Sequence, residues 1–305
     1  MKLGISIQEA LLTADPVGRR HLLGRVAEAG LDHVTFGDHL SFHGGIGFDG
    51  LVSATAALCA EDTLDVLVGV YLAGLRHPVA TARMLSTISQ LAPGRLVLGV
   101  GAGGEDRSEI SNAGVDPKTR GRRLDETLEV LRRLATGESV DHRGEFFTLS
   151  EARILPAPVP RVPIVIGGSG DAAVRRTAAI GDGWLGIFCS PRRYQDTVRR
   201  IRAAVDGRSP SWFGLSMWCG FASDGGRARE LLGARMESLY RLPAAKFEHV
   251  TAAGTPEAVA EQLAPYLAAG AVHLTLVPVA ASVDEALEAA AEVRRLLLAT
   301  SVTAG

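Results

Sequence analysis

The sequence predicts an α/β chain folded as a (β/α)8 TIM barrel with insertion segments, one domain over residues 1–305, and three observations carry that reading. The first is a complete strand, helix, strand unit between Asp65 and Gly104. Leu64 to Leu72 (LDVLVGVYL) is an almost unbroken apolar run, too short for most helices and suited to a parallel strand buried on both faces. His77-Pro78 opens a helix with Val79, Ala82, Leu85, Ile88 and Leu91 on one stripe, Pro93-Gly94 ends it, and Arg95 to Val100 is the next strand. The second observation is that this alternation continues until eight strands are counted. The third is composition: 47% hydrophobic residues with only 5% aromatics suits Val- and Leu-rich parallel strands under a coat of helices.

In chain order, Lys2 to Ile7 is the first strand, and Asp15-Pro16 caps a helix that Gly30 stops. His33 to Gly37 is strand two; it runs into Asp38-His39 and a glycine-rich loop through Gly50, before an apolar helix around Val52 to Leu58. After strand four, Glu105 to Asp116 is polar and without period, which predicts a substrate-side loop, whereas Leu124, Leu128, Leu131 and Leu134 define a helix. Ser139 to Leu149 reads as an inserted hairpin around Arg143-Gly144. Strand five, Ile164 to Ile166, ends in a second glycine run and a helix from Asp171 to Ile180. Strand six is Trp184 to Phe188, Ser190-Pro191 caps the following helix, and Trp212 to Phe221 is strand seven. Asp224 to Leu239 is helical, Thr255-Pro256 caps another helix, His273 to Val277 is strand eight, and Ser282 with Glu285 forms a capping box.

The charge balance narrows the class of partner. Lys plus Arg total 32 against 34 acids, a net charge of -2, so there is no basic footprint for nucleic acid and a small-molecule substrate is expected. Three cysteines without CxxC spacing predict neither a disulfide framework nor a metal finger. No apolar run is long enough to span a membrane, and the N-terminal MKLGISIQEALL lacks a signal-like charged flank, so a soluble cytoplasmic protein is expected.

Three places could carry chemistry. Gly99, Gly101 and Gly104 formally satisfy GxGxxG, but no apolar helix opens behind them, which argues against a Rossmann unit. Gly101, Ala102, Gly103 and Gly104 instead offer backbone at a strand's C-terminal end, either as a tight turn or as a ledge for a ring or phosphate. Gly167, Gly168, Ser169 and Gly170, followed by a helix starting at Asp171 and Ala172, present a helix N-terminus suited to a phosphate, with a plain αβ turn as the equal alternative. Asp38 and His39 end strand two, where barrel enzymes place catalytic side chains and where a histidine can exchange a proton near neutrality. His39 and His43 have helical metal-ligand spacing, but the glycines around them argue against a helix and no metal is expected.

Five segments in order resemble the luciferase-like monooxygenase superfamily of flavin- and F420-dependent oxidoreductases, over nearly the whole chain. They are AEAGLDHVTFGDH (Ala27 to His39), RHPVATARMLSTISQLAPGRLVLGVGAG (Arg76 to Gly103), GRRLDETLEVLRRLATGESVDHRGEFF (Gly121 to Phe147), VPIVIGGSG with AAIGDGW (Val162 to Trp184) and GTPEAVAEQL (Gly254 to Leu263). The resemblance implies a TIM barrel with insertions, a flavin or deazaflavin ring at the strands' C-terminal mouth, its phosphate in the Gly167 to Ala172 turn, and a homodimer. It also implies a bulge with a non-prolyl cis peptide at the end of strand three, aligned to Tyr71-Leu72. In the F420-dependent branch the position matching His39 handles a proton and Asp38 lies beside the ring. Sugar-phosphate members carry a glutamate directly after the GxGxG turn and a tryptophan shortly after the strand-two histidine. Here Gly104 stands at the first place, with Glu105 one residue on, and no tryptophan lies near His43, so a sugar phosphate is not the expected substrate.

The resulting expectation is an oxidoreductase that passes a hydride between C5 of F420 and a small organic substrate, with His39 and Asp38 as the catalytic pair. FMN with oxygen, in a luciferase-like monooxygenase, is the alternative. A non-catalytic deazaflavin carrier is a lesser one, and a barrel hydrolase lacks its nucleophile and base.

Overall fold

A computed structural model describes residues 1–104 and 106–303, with side chains to residue 299; Glu105, one residue past the place of the family glutamate, lies outside the described residues. The elements run β1 (Lys2–Ile5), α1 (Gln8–Thr13), α2 (Pro16–Glu28), β2 (His33–Phe36), α3 (Gly50–Ala60), β3 (Asp65–Tyr71), α4 (Pro78–Leu91) and β4 (Leu96–Val100). They continue with α5 (Arg107–Asn112), α6 (Arg120–Leu134), β5 (Val140–Arg143), β6 (Thr148–Ala152), β7 (Ile164–Gly167), α7 (Asp171–Ala179), β8 (Gly183–Gly186) and α8 (Pro191–Ala204). The last are β9 (Trp212–Phe221), α9 (Gly225–Tyr240), β10 (Ala252–Gly254), α10 (Pro256–Ala268), β11 (His273–Val279) and α11 (Val283–Thr303). Parallel strands alternating with helices, with the β5/β6 hairpin as an insertion, make the fold class a (β/α)8 barrel.

The chain divides into two compact units: residues 1–35, 168–178 and 183–305 form one, and residues 36–167 with 179–182 the other. In the first, β1 lies between β2 and β11, with Ile5 opposite both Val34 and Leu276. The ten-residue β9 is long enough to serve three partners: β11 along one edge, β8 beside Trp212 to Leu215, and β10 beside Cys219 to Phe221. Trp218, Ala228, Leu232, Met236, Phe247 and Ala253 pack as one buried cluster in this unit. In the second unit β4 lies between β3 and β7, and the buried stripes of α4 and α6 meet the hairpin at Ala82, Leu131, Leu134, Val140 and Ile154.

Where the sequence marks an N-terminus, the structure places a cap. Asp15 Oδ1 accepts from the Gly18 N–H, Ser190 Oγ from the Arg193 N–H, and Ser282 Oγ from the Glu285 N–H. Three short elements escape the sequence reading: α1, α5 and β10. The stretch expected to be a loop from Glu105 to Asp116 contains α5, capped by Asp106. Six residues are too few to display a helical period, so polarity alone suggests a loop there.

Candidate functional site

The second unit contains the end of β2, and Asp38, two residues past it, is an anchor. Asp38 is 2% exposed, and both of its oxygens are engaged. Oδ1 accepts from the Gly50 N–H at 2.8 Å and Arg76 Nη2 at 2.8 Å; Oδ2 accepts from the Leu72 N–H at 2.9 Å and Arg76 Nη1 at 2.7 Å. Arg76 also donates to Asp49 at 2.8 Å, the residue that caps α3. Burial works against the guanidinium charge, but the hydrogen bonds and charge of Asp38 outweigh it and raise its pKa. The same guanidinium lies 4.2 Å over the ring of Tyr71, which is fully buried. Asp38 therefore ties the ends of β2 and β3 to the starts of α3 and α4. Tyr71 and Leu72 sit inside that tie, at 0% and 5% exposure.

His39 stands one residue further, with its side chain 33% exposed. The loop behind it is a small hairpin: the Phe42 and Ile46 N–H groups each donate to the other residue's carbonyl, and the His39 N–H donates to the Phe48 carbonyl. Gly47 is required here, because a Cβ would meet the His39 Cβ at 2.4 Å and the backbone has φ of 141°. Phe42 stacks on His39 with ring centroids 4.2 Å apart and lies tilted against His43 at 4.0 Å. Each imidazole also faces an acid from the α5 segment. His39 Nδ1 lies 3.2 Å from Glu109 Oε1 and 3.3 Å from Oε2, and His43 Nδ1 lies 3.7 Å from Asp106. Glu109 Oε1 accepts from the Leu40 N–H at 2.7 Å and the Ser41 N–H at 3.2 Å. Asp106 accepts from the His43 N–H at 2.8 Å and from Ser108; its hydrogen bonds, that from Ser108 foremost, lower its pKa to about 2.

Sequence reasoning missed Glu109, which is 4% exposed. The available signal was Asp106-x-x-Glu109, a cap followed three residues later by an acid. What a capping pattern cannot show is that this acid points across 70 positions to His39.

The first glycine run follows β4. Val68 pairs with Leu98 and Tyr71 with Val100, so Gly69 and Val70 bulge opposite Gly99. The non-prolyl cis peptide is Gly69-Val70, not the aligned Tyr71-Leu72. The glycine inside the strand, Gly69, was the available mark of the bulge; the alignment to the strand's end overlooked it. Val70 in turn explains the glycines. A Cβ on Gly101 would come within 2.6 Å of Val70 Cγ2, and one on Gly167 within 2.8 Å of Val70 Cγ1. Gly101 is buried, Ala102 half-buried, and Gly103 and Gly104 are exposed with φ of 66° and 137°.

The second glycine run, from Gly168 on, belongs to the first unit. Gly168 has φ of 98°, its carbonyl accepts from Trp184 Nε1, and the Ser169 carbonyl accepts from Arg193 Nη2 at 2.9 Å. Nothing lies within 4 Å of a Cβ built on Gly170. Asp171 begins α7 paired with Arg200, whose hydrogen bond, reinforced by the charges of Arg175 and Arg193, holds its carboxyl below the usual range. Ala172 follows, half-buried. Among the described residues no group of three or more His, Cys, Asp or Glu side chains could hold a metal ion, and no helix is long and apolar enough to cross a membrane.

Residues 16–223 match the family model for luciferase-like monooxygenases. An F420-dependent glucose-6-phosphate dehydrogenase of Rhodococcus hoagii is 33% identical over 220 residues, covering 68% of this chain and 63% of its own length. The chain spans about half the length of the first curated relatives it matches. An F420-dependent secondary alcohol dehydrogenase, solved with an F420-acetone adduct, superposes with a TM-score of 0.83 at 21% identity, covering 97% of this chain and 98% of that one. The monooxygenase RslO1 from Streptomyces bottropensis superposes at 0.79 and 21% identity, covering 99% of this chain and 100% of that one. At these identities the two superpositions speak for the fold.

Proposed function

The chain belongs to the luciferase-like monooxygenase family, and from that premise we propose that it is an F420-dependent oxidoreductase that moves a hydride between the deazaflavin and a small organic substrate. The observation that carries the reading is His39. It lies three residues past the end of a barrel strand, its loop is braced by Glu109 and Asp106, its Nδ1 is tied inward to Glu109, and a third of its side chain is open. The F420-dependent relatives among the matching sequences support the choice of cofactor.

The residues present fit such a cofactor. Gly103 and Gly104 leave an exposed backbone ledge with no side chain, and the Gly167 to Ala172 turn carries an open glycine with Arg193 and Arg200 close by. When bound, F420 supplies a two-electron hydride acceptor or donor at C5. His39 then takes the hydroxyl proton as a substrate alcohol becomes a carbonyl, or returns it in the opposite direction. Asp38 enters as the anchor that holds His39 in place, its own oxygens being filled by Gly50, Leu72 and Arg76. Gly101 and Ala102, with Tyr71 and Leu72 behind them, shape the wall of the ring site, and Gly167, Gly168, Ser169, Gly170, Asp171 and Ala172 take the phosphate. Gly104 in place of the sugar-phosphate glutamate, with no tryptophan near His43, weighs against glucose 6-phosphate as the substrate.

Anaerobic titration of the purified protein with F420 and, separately, with FMN tests the proposal. Binding of F420 alone raises thermal stability with ligand concentration for that ligand only and supports it. Binding of FMN alone overturns it in favour of a monooxygenase using reduced flavin and oxygen.

A further inference from the structure

We propose that Glu109 is the positioning residue of this site: it fixes His39 in the tautomer protonated at Nδ1 and thereby presents Nε2 as the atom that exchanges the substrate proton. The inference rests on the reading of His39 as the proton-handling residue. Both oxygens of Glu109 stand within 3.3 Å of His39 Nδ1, and a carboxylate only accepts hydrogen bonds, so the ring nitrogen facing it has to carry a hydrogen. In a neutral imidazole the other nitrogen is then the acceptor. The carboxylate is 4% exposed and does not swing freely, because Oε1 also receives the Leu40 and Ser41 N–H groups. It therefore registers against the two residues that follow His39 in the chain, and ring and loop are set by one group.

Two further contacts keep the ring's orientation single. Phe42 stacks on it at 4.2 Å, and the His39 N–H is fixed to the Phe48 carbonyl. Ile110, next to Glu109, packs in a buried cluster with Leu72, Leu75 and Val115, so the six-residue α5 rests on the end of β3 and cannot shift without opening that cluster. The remaining charged groups around the loop are engaged elsewhere: Asp106 with His43 and Ser108, and Asp38 with Arg76, which also holds Asp49. Among the described residues, Glu109 is the carboxylate within bonding distance of His39.

For oxidation of an alcohol the balance is simple. The carbon loses a hydride to the cofactor, the hydroxyl oxygen loses its proton to Nε2, and the C–O bond becomes C=O. The resulting imidazolium has its Nδ1–H pointing at a carboxylate that already accepts it. With Nε2 protonated beforehand, no acceptor for that proton is available at the reacting edge.

The test reads the tautomer directly and needs neither cofactor nor substrate. Long-range proton–nitrogen NMR on 15N-histidine protein at about pH 8.5, where unperturbed imidazole is neutral, identifies His39 among the eight histidines as the signal lost in His39→Gln. The expected wild-type spectrum shows a protonated Nδ1 and a bare Nε2. Glu109→Gln keeps an oxygen for the Leu40 and Ser41 N–H groups but places an amide donor beside Nδ1, and both tautomers should then appear. Turnover in that variant should fall about 10- to 100-fold in kcat with KM nearly unchanged, short of the ~10⁴-fold that a wholly wrong tautomer costs a serine protease triad. A bare Nδ1 in the wild type, or an unchanged tautomer in Glu109→Gln, overturns the proposal, and the wild-type spectrum decides it even if the variant does not fold. Unchanged turnover in His39→Ala would instead sink the functional reading of His39, leaving the tautomer result to stand on its own.

Discussion

Removing Arg76 should destabilise the protein far more than removing an ordinary surface cation. Its guanidinium makes two hydrogen bonds to Asp38, at 2.7 and 2.8 Å, and one to Asp49 at 2.8 Å. The Asp38 side chain has no exposed surface and that of Arg76 only 12%, so in Arg76→Ala a carboxylate stays buried with two main-chain N–H groups as its remaining donors. Breaking a buried pair by deleting one partner costs about 3–5 kcal/mol, most of it from the uncompensated charge left behind. With an unfolding entropy of about 2.1 cal/mol/K per residue, a chain of this length should lose about 5–8 °C in Tm. Differential scanning calorimetry of Arg76→Ala and of the double variant Arg76→Met with Asp38→Asn measures it. The double variant removes both charges and should recover part of the loss, the remainder reflecting the amide nitrogen that Asp38→Asn turns toward one of the Gly50 and Leu72 N–H groups. A drop below about 1 °C in the single variant, or a double variant worse than the sum of the singles, would refute the argument that the buried charge is what matters.

Three other outcomes follow from the same geometry. His39→Ala should cut turnover by about 10²- to 10⁴-fold while leaving the cofactor dissociation constant within a few-fold, as followed by fluorescence titration. Gly101→Ala should destabilise by about 1–3 kcal/mol because its Cβ would sit 2.6 Å from Val70 Cγ2, and Val70→Ala in the same chain should relieve it; denaturant melts in which the second change brings no relief would show that the contact is not the cause. Burial, chiefly, pushes the His33 and His273 imidazoles down to about 3 and about 4, whereas an unfolded imidazole takes up its proton near pH 6.5. The unfolded chain thus binds more protons below about pH 6.5, so their contribution to stability is complete above that value and declines as the pH falls toward 4 and then 3. His33→Gln should flatten this part of the curve of Tm against pH, and an unchanged slope would remove His33 as its source.

The features legible in the sequence share one property: each depends on residues close together in the chain. Asp15, Ser190, Thr255 and Ser282 could be recognised as caps because the N–H groups they serve lie three residues on. Strands β3 and β4 and the helix between them follow from local apolar pattern, and β9 was legible to its end residues. The short α5 and β10 were not, because six and three residues hold too little pattern to outweigh composition.

By itself, then, the sequence determined the fold class and the position of Asp38 and His39 at the end of a strand, since both arise from periodicity and from the order of the elements. Only the tertiary structure decided what those residues do to one another. It turned Asp38 into an anchor through Arg76, moved the cis peptide to Gly69-Val70, gave Gly101 and Gly167 their reason in the Val70 side chain, and brought Glu109 beneath His39. Each of these is a contact between positions far apart in the chain, whose partners are chosen by how the strands register and pack, and such a choice leaves no periodic trace in the residues that make it.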